Sequence, residues 1–150
     1  MEIWLKGILT AEDVRLAASS AARVSGIIVS NHGGRQLNSA MATIDALEEC
    51  IQAAKDSAGA GQQMQVWIDS GIRSGADIFK AVALGANGVL IGRIPLWALA
   101  VGGEAGVDKA LSILKKEFTD VMGLAGCRSI SEITTDHLAR RTGNGFYVKL

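Results

Sequence analysis

The sequence carries no net charge: 15 Lys and Arg stand against 15 Asp and Glu, beside two His. Nothing in that balance draws the chain towards nucleic acid or an acidic membrane surface. There are two cysteines, Cys50 and Cys127, far apart, in no C-x-x-C pair, near no His cluster and in no metal-ligand spacing. They read as free thiols, buried or half-buried, in a reducing compartment. No apolar run reaches the ~18–20 residues that span a bilayer. No basic-then-apolar segment opens the chain. Aromatic residues make up only 5%, with one tyrosine, Tyr147, near the end, and one proline, Pro95. What is present is apolar: 49% hydrophobic residues and a mean hydropathy of +0.26, which argues against disorder. The length, 150 residues, suits one domain. Glycine is abundant, 18 of 150 or about 12% against a usual ~7%. The glycines stand singly or in pairs between apolar runs, as turns and close-approach sites do.

The chain alternates short apolar strands with amphipathic helices. The first strand is expected over Ile3 to Lys6. Thr10 then caps a helix, with Asp13 in the capping-box position and Val14, Ala17, Ala18 and Ala21 on its inner face. Ile27-Ile28-Val29 reads as a strand buried on both faces. A polar turn from Ser30 to Ala42 leads to a helix near Thr43, striped by Ile44, Leu47, Ile51 and Ala54. A Gly/Gln loop, Gly59 to Gln63, precedes a strand at Gln65 to Ile68. The turn Asp69 to Arg73 leads to a helix from about Ser74 to Leu84, ended by Gly85. The fourth strand spans Gly88 to Ile91. A short helix, Pro95 to Val101, and a longer one, about Glu104 to Leu124, follow. The more polar end, from about residue 130, is expected to wrap the outside, with His137 on the surface. Four strand–helix units imply parallel strands with crossovers. An open doubly wound sheet and part of a (β/α) barrel both fit.

The polar residues gather just after the strands: Lys6-Gly7, Ser30 to Arg35, Asp69 to Arg73, and Gly92-Arg93. In either architecture those ends share the ligand-binding face. Gly with Lys, His or Arg at four strand ends describes a pocket for an anion. In Asp69 to Arg73 and in Gly92-Arg93, Gly admits close backbone approach, Arg offers a donor fork, and a helix N-terminus adds a positive dipole end. Together these suit a phosphate. The plain alternative is two helix caps beside solvated arginines. His32 and Arg35 form an H-x-x-R pair in which Arg grips a carboxylate and His takes a proton. The alternative is a loop His and a surface Arg. Lys6 would offset negative charge on a bound ring, or simply end a strand.

Leu5 to Asp13 (L-K-G-I-L-T-A-E-D) and Ser30 to Leu37 (S-N-H-G-G-R-Q-L) resemble the FMN-dependent 2-hydroxy acid oxidases and dehydrogenases. Asp69 to Gly75, Gly85-Ala86, Ile91 to Arg93, Gly102 to Val107 and Gly126 to Ser129 also match, in the family's order. The resemblance runs from Leu5 to about Ile133. It implies a TIM barrel, of which residues 1–150 would be a partial domain, the C-terminal half, β/α units five to eight. It implies FMN as cofactor and a small 2-hydroxy acid as substrate, oxidised to a 2-oxo acid. By the match, His32 is the base and Arg35 the carboxylate clamp. Lys6 lies at the flavin ring and Ser30 is a flavin contact. Asp69, Ser70, Gly71, Ile72, Arg73, Gly92 and Arg93 form the ribityl and phosphate loops. Ser70 stands where the family usually has Gly, Asn38 where it has Asp, and Met41 where it has Pro. The Asp that orients the family's base and its substrate-side tyrosines match no residue of this sequence. The resemblance thus implies pairing with the other half barrel or with a second copy, because half a barrel leaves open edges. A half barrel that holds FMN or phosphate without turnover, or an interaction remnant, is the other reading. The expected location is intracellular, cytoplasmic or peroxisomal. Val148-Lys149-Leu150 differs from a peroxisomal S-K-L ending by its Val and is taken as chance.

Overall fold

The computed structural model describes residues 1–21, 23–58 and 64–150. The expected Gly59 to Gln63 loop lies outside them. The chain divides into two compact units, Met1–Ile72 with Ala86–Gly92, and Arg73–Gly85 with Arg93–Leu150.

The first unit holds four parallel strands, β1 (Trp4–Ile8), β2 (Gly26–Val29), β3 (Gln65–Ile68) and β4 (Gly88–Val89), in the order β1-β2-β3-β4. Its helices are α1 (Ala11–Ser19) and α2 (Thr43–Asp56). Each strand neighbours the next in sequence, so the order never reverses. A doubly wound sheet would reverse it at a switch point. β1 lies one residue later than expected at its start and runs two further. β4 is only two residues long, although Leu90 N–H still reaches the Ile68 carbonyl at 2.9 Å.

Strand side chains alternate between faces. Ile27, Val29, Val66 and Ile68 are buried on one face, towards the helices that cover the sheet. Leu47, Cys50, Ile51, Ala53 and Ala54 of α2 and Val14 and Ala17 of α1 supply the cover. Each large side chain buried this way is worth about 1.5–3 kcal/mol. Ala18 and Ala21 of the expected inner face are exposed instead, because α1 stops at Ser19 and its contact is narrow. Ile44 is also exposed. The other sheet face carries Trp4, Ile28 and Trp67, all half-buried, so Ile28 is not covered as the apolar run suggested. Trp4 stands over Gly26 and Trp67 over Gly88, and the two rings meet edge-on at 5.6 Å. The buried Cys50 thiol is pushed up to about 11 by desolvation, helped by the charges of Glu49 and Asp13.

The second unit packs α3 (Gly75–Leu84) on α4 (Arg93–Leu124). Ser74 caps α3 in a full capping box with Asp77, a cap beyond those expected, and Gly85 ends it at φ 109°, the stop that the sequence suggested. Pro95 lies in the first turn of α4, and Gly102 and Gly103 leave helical geometry, which produces the two expected helices with a kink between them. The polar end does more than wrap. Cys127 and Ile133 are buried with Phe79 and Ala83, and Leu138 packs on them. The strands of the hairpin β5 (Ala139–Arg141) and β6 (Tyr147–Lys149) are exposed throughout. His137 is exposed on one side, yet its Nε2 sits 3.3 Å from Cys127 Sγ and its ring meets Phe79 edge-on. Ten residues of sequence separation hid that neighbour. No helix among the described residues is long and apolar enough to cross a membrane.

Candidate active site

The register explains why three polar residues meet. Trp4 pairs with Gly26, Lys6 with Ile28, and Ile28 with Trp67, so these residues share the face away from the helices. The same alternation carries Ser30 and Asp69 onto that face, one step beyond their strands. Lys6 Nζ lies 2.7 Å from Asp69 Oδ2 and donates to Ser30 Oγ at 2.9 Å. After Lys6 the β1–β2 register slips, at Gly7, whose φ is +102°. That bulge needs glycine and ends the regular ladder beside the cluster. Ser30 is 1% exposed, while the Lys6 side chain is 42% exposed and that of Asp69 16%. The ammonium therefore rests on a covered anion and faces outward. Two of its three donors serve Ser30 and Asp69, which leaves the third for a ligand.

Burial acts to raise the Asp69 carboxyl, but hydrogen bonds from Lys6, Ser30 and Ser70, with the Lys6 charge, outweigh it and hold the group below its usual 3.8. A depressed carboxylate stabilises the fold above its ordinary value, and the contribution is lost as pH falls through the lowered one. Urea midpoints should hold steady from pH 7 to about 5 and fall below about pH 4. In Asp69→Asn that acid loss should be shallower. An unchanged acid limb would show that the ion pair does not drive it.

The turn after β2 is held from inside. His32 N–H donates to Ser30 Oγ at 3.0 Å, Gly33 N–H to Ser70 Oγ at 2.9 Å, and Gly34 N–H to Asn31 Oδ1 at 3.0 Å. Three successive amides are thus spent on side chains of the chain itself. The turn is built to present side chains rather than to cradle an anion with its backbone. His32 has φ 58°, unusual for a residue with a side chain, and is exposed. Its Nε2 lies 2.8 Å from Arg35 Nη2. A guanidinium only donates, so Nε2 accepts and the ring proton resides on Nδ1. Arg35 is thus a partner that sets the His32 tautomer, one that sequence matching did not indicate.

The residues expected in the phosphate loops belong to both units. Gly71 is exposed at φ +88°, Ile72 is buried, and Gly92 is exposed with open space above it. Arg73 and Arg93 are exposed residues of the second unit. The helix N-terminus beside Arg73, expected to add a positive dipole end, has its leading amides taken by side chains of the chain itself. The amides of Arg73 and Ser74 donate to Asp77 Oδ2 at 3.1 and 3.0 Å, and that of Gly75 to Glu117 Oε2 at 2.8 Å. Carboxylates of the chain thus take the three amides that lead into that helix.

Two further residues belong to the cluster. Asn31 accepts from Gly34 and donates to the Met41 carbonyl at 3.1 Å. Asn ahead of two glycines is a turn former, a signal readable in the sequence. Thr43, buried, directs its hydroxyl at the carbonyls of Asp69 and Ser70 at 2.7 and 2.9 Å. Nothing in the sequence marks it for that role, since 26 residues separate Thr43 from Asp69.

Residues 1–140 match the family model described as FMN-dependent dehydrogenase. The chain belongs to the FMN-dependent dehydrogenase family. Among relatives in this family, Glycolate oxidase 1 of Zea mays is 51% identical over 138 residues, 92% of this chain and 35% of the relative. Glycolate oxidase of Spinacia oleracea is 50% identical over 139 residues, 93% of this chain and 36% of the relative. A solved structure of mandelate oxidase with (S)-2-phenylpropionate superposes with a TM-score of 0.78 at 47% identity, over 87% of this chain and 37% of that one. The chain thus spans about a third of the length of the curated relatives it matches.

Proposed function

We propose that this chain is β/α units five to eight of a (β/α)8 barrel and serves FMN-dependent oxidation of a small 2-hydroxy acid to a 2-oxo acid. The unreversed strand order supports the barrel. Kinship to glycolate and mandelate oxidases supports the reaction class. The observation that carries the reading is the His32–Arg35 contact at 2.8 Å, following the strand next to Lys6.

The donor set fits a flavin. Lys6, backed by Asp69 and Ser30, would offer a cation to the flavin ring and stabilise negative charge that develops on it. Asp69, Ser70, Gly71 and Ile72 would line the ribityl chain, and Gly92 with Arg73 and Arg93 the phosphate, by their match to the family's loops. Bound FMN supplies the two-electron acceptor. Arg35 receives the substrate carboxylate through its donor fork. In doing so it withdraws from Nε2, and the freed lone pair takes a proton from the substrate. Engagement of the carboxylate and release of the base are then one event. The open edges of β1 and β4 are completed by the complementary half barrel or a second copy, and the protein acts inside the cell.

The test adds FMN and then glycolate, lactate or mandelate without oxygen, with flavin absorbance as readout. Binding followed by bleaching is expected. Binding without bleaching would overturn catalysis and leave a flavin-holding module. No binding would overturn both.

A further inference from the structure

We propose that Ser70 is a positioning residue that ties the His32–Gly34 turn to the Lys6–Asp69 ion pair. Its backbone has φ 68°, in the left-handed region, which strains any residue with a Cβ other than Asn or Asp. Glycine would sit there without strain, and the family usually has glycine. The serine hydroxyl acts here as both donor and acceptor. It donates to Asp69 Oδ1 at 2.7 Å and accepts from Gly33 N–H at 2.9 Å. Thr43 fixes the backbone beneath it by bonding the carbonyls on both sides of the Ser70 Cα, those of Asp69 and Ser70. One side chain therefore connects the residue after the base to the counter-ion of the flavin-side lysine. A glycine would leave the Gly33 amide without that acceptor and Asp69 with one donor fewer. Ser30 forms a parallel link, accepting from both His32 N–H and Lys6 Nζ, so loss of Ser70 loosens the turn without releasing it.

The role assigned to His32 rests on the proposed function, but the link itself is measured without flavin. Amide exchange at Gly33 and Gly34 and the carboxyl titration of Asp69 are followed by NMR in the intact chain and in Ser70→Gly, Ser70→Ala and Ser70→Asn. In the Gly and Ala variants the Gly33 amide should exchange about fivefold faster or more. Gly34, held by Asn31, should not change. The Asp69 midpoint should move up in both. Ser70→Asn tolerates the left-handed backbone and keeps an acceptor, so it should restore most of the Gly33 protection. Unchanged exchange at Gly33, equal acceleration of Gly33 and Gly34, or an unmoved Asp69 would each overturn the link. Ser70→Gly relieves backbone strain, so its effects are not those of misfolding. A link that holds in a chain that never reduces FMN would leave this assignment standing and overturn the proposed function alone.

Discussion

Gly75→Ala is expected to destabilise the second unit by about 3 kcal/mol or more, read as a lower thermal midpoint with loss of cooperativity. A methyl built on Gly75 would lie 2.0 Å from the Phe118 nitrogen and 2.3 Å from the Glu117 carbonyl carbon. Both are backbone atoms of α4, so no side-chain rotation relieves the overlap. α4 must slide away from α3. That movement would also stretch the 2.8 Å bond from Gly75 N–H to Glu117 Oε2 and disturb Phe118, which packs with Phe79 and Cys127. The cost is steric, because Gly75 begins a helix that Ser74 caps in ordinary geometry. Gly123→Ala in α4 is the control. Its added methyl meets open space, and the gain in helix propensity, up to about 1 kcal/mol, should leave the protein as stable or more so. Equal behaviour of the two variants would refute close packing at Gly75.

His32→Asn is expected to slow anaerobic flavin bleaching by about 10²–10⁴-fold with FMN affinity unchanged. Asn suits the exchange because it accepts the left-handed backbone at φ 58° and can still accept from Arg35. It cannot take up a proton near neutral pH. The proposed flavin contacts, Lys6, Ser30 and Asp69, do not depend on the imidazole. Ser30 bonds the His32 backbone amide, which Asn retains. Rate and affinity should therefore part company. Bleaching within tenfold of the parent would remove His32 from the role of base. A parallel loss of flavin affinity would make it part of the binding site.

Much of both fold and site was legible from local chemistry. Capping by Thr10, the Gly85 stop and the glycine break in α4 depend on neighbours within a few residues. The same holds for clustering of Lys6, Ser30, His32, Arg35 and Asp69 after strands, since strand polarity sends every such segment to one end. The alternation of apolar residues fixed strand faces but not what lies against them. Ile28 reads like Ile27, yet only Ile27 is fully buried, because helices cover one face of the sheet.

The sequence by itself determined the family, the strand–helix rhythm and the chemistry available at the strand ends. Only the tertiary structure decided how that chemistry is wired. Pairing in register set Lys6 on Asp69 across two strands, and a buried Thr43 hydroxyl clamped the turn that carries Ser70. It also spent the amides of Arg73, Ser74 and Gly75 on Asp77 and Glu117, which a helix-start motif alone presents as open to an anion. The physical reason is common to all three. A hydrogen bond is satisfied by whichever partner the fold brings within about 3 Å, and separation along the chain does not encode that distance.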